Sequence, residues 1–231
     1  MKKRPNILFA FADDWGRYAG CYTKFHGENS LSALIETPNI DRIADEGVIF
    51  TNALVPAPSC TPCRSSVLSG RYFWQTKLGT ILQGAVWDES IPSYPEILRD
   101  NGYKIGFTYK VWGPGSPANA PYGGDKNHYW SGGGKFNDYS FVVTDNLRAC
   151  GDVEQAKLPL DQEVRANFES YLAEVEEGQP FCYWWGPTNT HGTWERGSGE
   201  ALWGIAPDAL TGRMPAFLPD VHDVREDAGD Y

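Results

Sequence analysis

Cysteine is scarce in this sequence: Cys21, Cys60, Cys63, Cys150 and Cys182 are odd in number and unevenly spread over 231 residues. That argues against a disulfide framework and is compatible with a reduced compartment. Long apolar runs are missing too. No stretch approaches the roughly 18 residues of a membrane span, and Met1-Lys2-Lys3-Arg4-Pro5 leads into a strand-like segment without the apolar region of a signal peptide. As written the chain reads as cytoplasmic, with a periplasmic or extracellular location expected if an N-terminal signal has been lost. Basic charge is in deficit, with 20 Lys and Arg against 30 Asp and Glu and a formal net charge of −10. Such a field repels polyanions, so nucleic acid is excluded as a natural partner and an anionic substrate must be drawn by local cations or a metal. There is no internal repeat and no linker, while 41% hydrophobic residues supply enough material for the core of one large domain.

What is present alternates between strand and helix patterns. The near-continuous apolar run Asn6 to Ala12, closed by Asp13-Asp14, predicts a strand buried on both faces. Thr37-Pro38 opens a helix whose Ile40, Ile43 and Ala44 share a face and which Gly47 stops. Val48 to Ala53 reads as the next strand. A helix is expected from near Pro62 to Gly70, which puts Cys60 just before its N-terminus. Ser93 and Glu96 have capping-box spacing for a helix ending at Gly102, and Lys104 to Lys110 reads as a strand that delivers Lys110 at its end. Residues 111–150, rich in Gly, Pro, Asn and aromatics, show no stable period and read as an excursion that lines a pocket. From Asp161 the positions Val164, Phe168, Tyr171, Leu172 and Val175 keep helical spacing, and Pro180 to Trp185 predicts another buried strand. Asp220 to Tyr231 reads as a turn entering a helix that is not completed. The alternation implies an α/β fold.

Several residues could carry chemistry. The carboxylates Asp13 and Asp14, adjacent at a strand end, repel each other unless a cation neutralises them, and their oxygens suit a hard ion such as Ca²⁺ or Mg²⁺; the plain alternative is an acidic turn in solvent. Cys60-Thr61-Pro62-Cys63 is also a C-x-x-C at a helix start, where thiols become acidic, so a redox pair is a competing reading. Structural zinc is disfavoured because there is no second cysteine pair and the four histidines lack ligand spacing to the first. Taken alone, Lys110 is a solvated strand-end lysine and His191 a loop histidine.

Taken with Arg64 and Ser65-Ser66-Val67-Leu68-Ser69-Gly70, the segment 60–70 resembles the signature of the sulfatase family, in which Cys-x-Pro-x-Arg directs oxidation of the cysteine to formylglycine. The resemblance extends to Pro5-Asn6-Ile7-Leu8 with Asp13-Asp14, to Thr37-Pro38-Asn39-Ile40-Asp41-Arg42-Ile43-Ala44, to Gly102-Tyr103 leading to Lys110, and to Pro180-Phe181 followed by His191. It implies an alkaline-phosphatase-like, mostly parallel sheet with helices on both faces. It also implies Ca²⁺ held by Asp13, Asp14 and residue 60, with Cys60 as the formylglycine precursor, Arg64 steadying that residue, Lys110 gripping a sulfate oxygen and His191 near the leaving group. The implied partners are a sulfated carbohydrate and a formylglycine-generating maturation enzyme. The implied reaction is hydrolysis of a sulfate ester or sulfamate, in which a hydrated aldehyde attacks sulfur while cations absorb charge on the sulfuryl oxygens.

The run Lys110-Val111-Trp112-Gly113 lacks the histidine that most members carry after Lys-Trp. That form, with Gly186-Pro187-Thr188-Asn189-Thr190-His191, is most similar to the N-sulfoglucosamine (heparan N-sulfatase) branch. The resemblance further implies that residues 1–231 are the N-terminal part of the catalytic domain, with further calcium ligands, another lysine and closing strands in sequence after Tyr231. This chain alone is therefore expected to bind Ca²⁺ weakly. Competing functions are a phosphonate or phosphate ester hydrolase of the same superfamily, and an inactive fragment or binding module.

Overall fold

The computed structural model describes residues 4–130 and 138–231. In chain order the elements are β1 (Ile7–Ala10), α1 (Thr23–His26), α2 (Pro38–Glu46), α3 (Cys60–Ser69), α4 (Tyr94–Asp100), β2 (Lys104–Tyr109), α5 (Tyr139–Cys150), α6 (Val153–Leu172), β3 (Phe181–Gly186), α7 (Ser198–Trp203) and α8 (His222–Asp230), joined by loops and short 3₁₀ turns. The strands form a parallel sheet in the order β1-β3-β2. The chain divides into two compact units, one made of Met1–Asp13, Leu54–Asn137 and Leu158–Thr188, the other of Asp14–Ala53, Asp138–Lys157 and Asn189–Tyr231.

The first unit holds the sheet. Ile105 and Phe107 of β2 and Cys182 and Trp184 of β3 turn to one face, where Leu68 of α3, Ile91, Trp112 and Tyr122 complete a core. On the opposite face Tyr171 and Phe168 of α6 pack on Tyr183. Gly106 lies under that contact, since a Cβ there would come within 2.5 Å of the Tyr171 ring. Apart from Lys104 and Thr108 of β2, these two strands carry apolar and aromatic residues and glycine because both faces are covered. The expectation of burial on both faces fails for β1. Ile7 and Phe9 pack against the core, but Leu8 on the other face is 58% exposed, because the aromatic side chains of α6 lie over β2 and β3.

In the second unit, Thr37 precedes α2, and Asp41 within it accepts hydrogen bonds from Thr37 Oγ1 (2.9 Å) and the Cys21 N–H (2.7 Å). Helices α7 and α8 meet through glycines, with a Cβ on Gly199 placed 2.1 Å from the Gly229 carbonyl oxygen. The Asp230 carboxylate accepts from the N–H groups of Gly197 and Gly199, both at 2.8 Å, and so caps α7.

Several predicted elements are corrected. Residues 48–53 form no strand and leave Val48 and Phe50 exposed; β-prone residues without a strand to pair with stay irregular. The excursion over 111–150 ends in a full helix, α5, whose buried side mixes Ser140 and Thr144 with Val143, which blurs the apolar period; residues 131–137 of that excursion lie outside the described residues. Helix α6 begins at Val153, not Asp161, and carries Pro159 inside it. The proline removes one N–H from the ladder, and helix continues on both sides of it. The final segment forms helix α8, as far as Asp230, and the Tyr231 ring packs edge-on against Tyr18 and Trp194.

Candidate active site

The first unit concentrates charge at the carboxyl end of its sheet, where open α/β sheets bind ligands. Asp13 follows β1 and is pinned by its N–H donating to the Pro187 carbonyl (2.9 Å), while the Lys110 N–H continues the β2–β3 ladder by donating to Gly186 O (3.1 Å). Cys60 is the first residue of α3, one step further into the helix than the sequence predicts, with Ser59 as an extended N-cap. Pro62 costs nothing in the first turn, where N–H groups have no partner within the helix. The helix is locked along its buried length: Thr61 Oγ1 donates to Pro114 O (2.8 Å), Ser65 Oγ to Gly79 O (2.9 Å), and the Trp112 indole to Ser65 Oγ (2.9 Å). Trp112 and Val111, which occupy the stretch where a second histidine was missed, are core residues.

Arg64 is buried, 1% exposed, yet fully engaged. Its Nη1 donates to the Lys110 carbonyl (2.7 Å) and its Nη2 to Asp13 Oδ1 (3.0 Å), and the guanidinium lies over the Phe11 ring at 5.1 Å. The Lys110 ammonium donates to Asp13 Oδ2 (2.5 Å) and lies 3.2 Å from Cys60 Sγ. Cys60 Sγ is 3.8 Å from Asp13 Oδ1. Four of the six residues singled out in the sequence, Asp13, Cys60, Arg64 and Lys110, therefore converge. Burial works to raise the Asp13 carboxyl, but the charge of Arg64 and the hydrogen bond and charge of Lys110 outweigh it and hold it below its ordinary value. Asp13 is thus an anion balanced by two cations around a partly exposed sulfur.

Asp14 and His191 belong to the second unit. There His191 Nε2 lies 3.8 Å from Asp14 Oδ2. The contact of His191 Nδ1 with the Gly192 carbonyl (2.7 Å) is a hydrogen bond only if Nδ1 donates, which leaves Nε2 as the nitrogen facing Asp14. Asp14 adopts a left-handed backbone (φ 57°), which short polar side chains tolerate, and its carbonyl accepts from the Tyr231 hydroxyl.

Cys63 is buried, and burial pushes its thiol up, which makes it a poor partner for redox exchange with Cys60. A hard cation fits the carboxylates but not a thiol sulfur, a soft ligand. Trp184, which the sequence marks only as core, also serves the site, its indole donating to the Lys110 carbonyl at 3.2 Å.

A family model described as Sulfatase matches residues 5–200. Human arylsulfatase D is 36% identical over 136 residues, 54% of this chain and 21% of that protein. The N-acetylgalactosamine-6-O-sulfatase of Bacteroides thetaiotaomicron is 29% identical over 243 residues, 94% of this chain and 45% of its own length. The chain thus spans less than half the length of these curated relatives. A solved structure described under the metabolism of multiple glycosaminoglycans by Bacteroides thetaiotaomicron aligns with a TM-score of 0.64 at 14% identity, covering 98% of this chain and 54% of that one. The architecture is the alkaline-phosphatase-like α/β fold. Given a family match that runs through Asp13, Cys60, Arg64, Lys110 and His191, the chain belongs to the sulfatase family.

Proposed function

We propose that this chain carries the nucleophile-bearing part of a sulfatase that hydrolyses a sulfate ester or sulfamate on an amino sugar of a glycan. In this reading Cys60 is converted to formylglycine, and Asp13, Asp14 and the oxygen then borne by residue 60 hold Ca²⁺. The observation that carries it is the Lys110 ammonium 3.2 Å from Cys60 Sγ, with Arg64 buried between Asp13 and the Lys110 carbonyl. A cation set against the nucleophile position is what a sulfuryl group needs when charge grows on its oxygens.

The bound metal would supply further positive charge at those oxygens, and the hydrated aldehyde an oxygen nucleophile at position 60. Lys110 binds one sulfuryl oxygen and orients sulfur toward residue 60. Arg64 does not reach the substrate: it fixes Asp13 and the end of β2. His191, through Nε2, donates a proton to the departing oxygen or nitrogen. The likeness to an N-acetylgalactosamine-6-O-sulfatase over 94% of this chain supports an amino-sugar substrate.

The test is release of inorganic sulfate from N-acetylgalactosamine 6-sulfate and from N-sulfoglucosamine, after coexpression with a formylglycine-generating enzyme. Release that disappears in Cys60→Ala is expected. Faster turnover of 4-nitrophenyl phosphate than of either sulfated sugar overturns the reading in favour of a phosphoryl hydrolase.

A further inference from the structure

The faces of β2 change hands at its last residue. Ile105 and Phe107 point into the core with Trp184 and Leu68 of α3. Gly106 and Thr108 point to the opposite face, where Tyr171 of α6 meets Gly106 and the Tyr183 hydroxyl meets Thr108. Strict alternation puts Tyr109 with Phe107 and Lys110 with Thr108. The opposite is observed. The Tyr109 hydroxyl donates to Glu163 Oε1 of α6 at 2.7 Å, and the Lys110 ammonium reaches Cys60 of α3 and Asp13.

The cause is local. Tyr109 has φ 63°, in the left-handed region that bulky side chains rarely occupy. The turn is enclosed on every side: the Lys110 carbonyl accepts from Arg64 Nη1 and the Trp184 indole, and the Lys110 N–H donates to Gly186 O. A Cβ on Gly186, the register partner of Tyr109, would lie 1.9 Å from the Lys110 carbonyl oxygen, so only glycine admits the chain there. Tyr109 itself is 4% exposed, and Glu163 is buried with it. Strain that is enclosed in this way belongs to sites where geometry matters.

We infer that Tyr109 is a positioning residue for Lys110: its left-handed backbone turns the end of β2 over and delivers the ammonium to the Cys60 side of the sheet. The inference deepens the sulfatase reading, in which Lys110 grips sulfate, but its test avoids turnover so that the two fail separately.

The full chain is used with Cys60 unconverted. Alkylation of Cys60 by iodoacetate and by iodoacetamide is followed by mass spectrometry of its peptide. The ratio of the two rates cancels the thiolate fraction and reports the charge beside the sulfur. Lys110→Ala lowers that ratio about fivefold, the factor for one unit charge about 4 Å away in a water-like medium. Tyr109→Val, β-branched and unfit for positive φ, lowers it as far and adds nothing in the Lys110→Ala background. Tyr109→Gly, which keeps the turn and loses the ring, stays within about twofold of wild type. An unchanged ratio in Tyr109→Val, a further fall in the double variant, or a Tyr109→Gly ratio at the Lys110→Ala level overturns the inference. If circular dichroism shows Tyr109→Val unfolded, Tyr109→Gly decides alone by the same criterion.

Discussion

Replacing Arg64 by leucine tests the electrostatic frame of the site. Arg64 and Asp13 are both buried, and the side chains of their 3.0 Å ion pair are only 1% and 6% exposed. Removing one partner of such a pair costs about 3–5 kcal/mol, because the other charge is left in a medium that solvates it poorly. Two features reduce the loss here. Lys110 stays 2.5 Å from Asp13 Oδ2, so the carboxylate keeps one cation, and the Lys110 carbonyl keeps its bond from the Trp184 indole. Leucine also restores apolar volume between Phe11 and Trp184. The expected destabilisation is therefore at the low end, about 3 kcal/mol. Adding Asp13→Asn removes the stranded charge, so the double variant should be more stable than the sum of the singles by about 1.5–3 kcal/mol. Urea unfolding followed by tryptophan fluorescence measures all four proteins. A loss below about 1 kcal/mol for Arg64→Leu, or strict additivity, refutes the claim that this pair is largely shielded from solvent.

Other consequences follow from the same packing. Burial pushes the Tyr183 hydroxyl up from 10.0 to about 12, and raises Tyr94 and Tyr171 as well. A raised pKa stabilises the folded state fully below the unfolded value and loses that contribution as pH climbs through the folded one. Between about pH 10 and 12 Tyr183 alone should cost about 2–3 kcal/mol, and the tyrosinate absorbance of these residues should appear together with loss of circular dichroism; gradual ionisation of a folded chain contradicts this. Gly186→Ala forces a Cβ to 1.9 Å from backbone and should destabilise by about 3 kcal/mol in the same urea assay, while wild-type stability would show that the strand end can shift.

Much of this was legible in the sequence, and the rest was hidden for identifiable reasons. The runs ending at Asp13, Lys110 and Trp185 announce strands by their concentration of apolar residues, which β2 and β3 bury on both faces and β1 on one only, and the chemistry-bearing positions fall where those runs stop. Segment 60–70 could be read because its residue types are dictated by chemistry and helix packing together. Helix α5 escaped because its buried side carries Ser140 and Thr144, polar residues that interrupt the apolar period, and the start of α6 because Pro159 masks a helix that tolerates it. Residues 48–53 misled in the other direction, since composition cannot tell whether a neighbouring strand exists to pair with. The left-handed turn at Tyr109 has no sequence signal at all: tyrosine predicts an ordinary strand residue, and only tertiary contacts hold it otherwise.

The central claim is that Cys60 is a nucleophile precursor and not a structural or redox thiol. It is tested most directly by mass spectrometry of the peptide holding Cys60 after coexpression with a formylglycine-generating enzyme. The account predicts a loss of about 18 Da at residue 60, as a thiol-bearing side chain becomes an aldehyde, with Cys63 unchanged. An unmodified Cys60 in protein that releases sulfate from a sulfated amino sugar contradicts it.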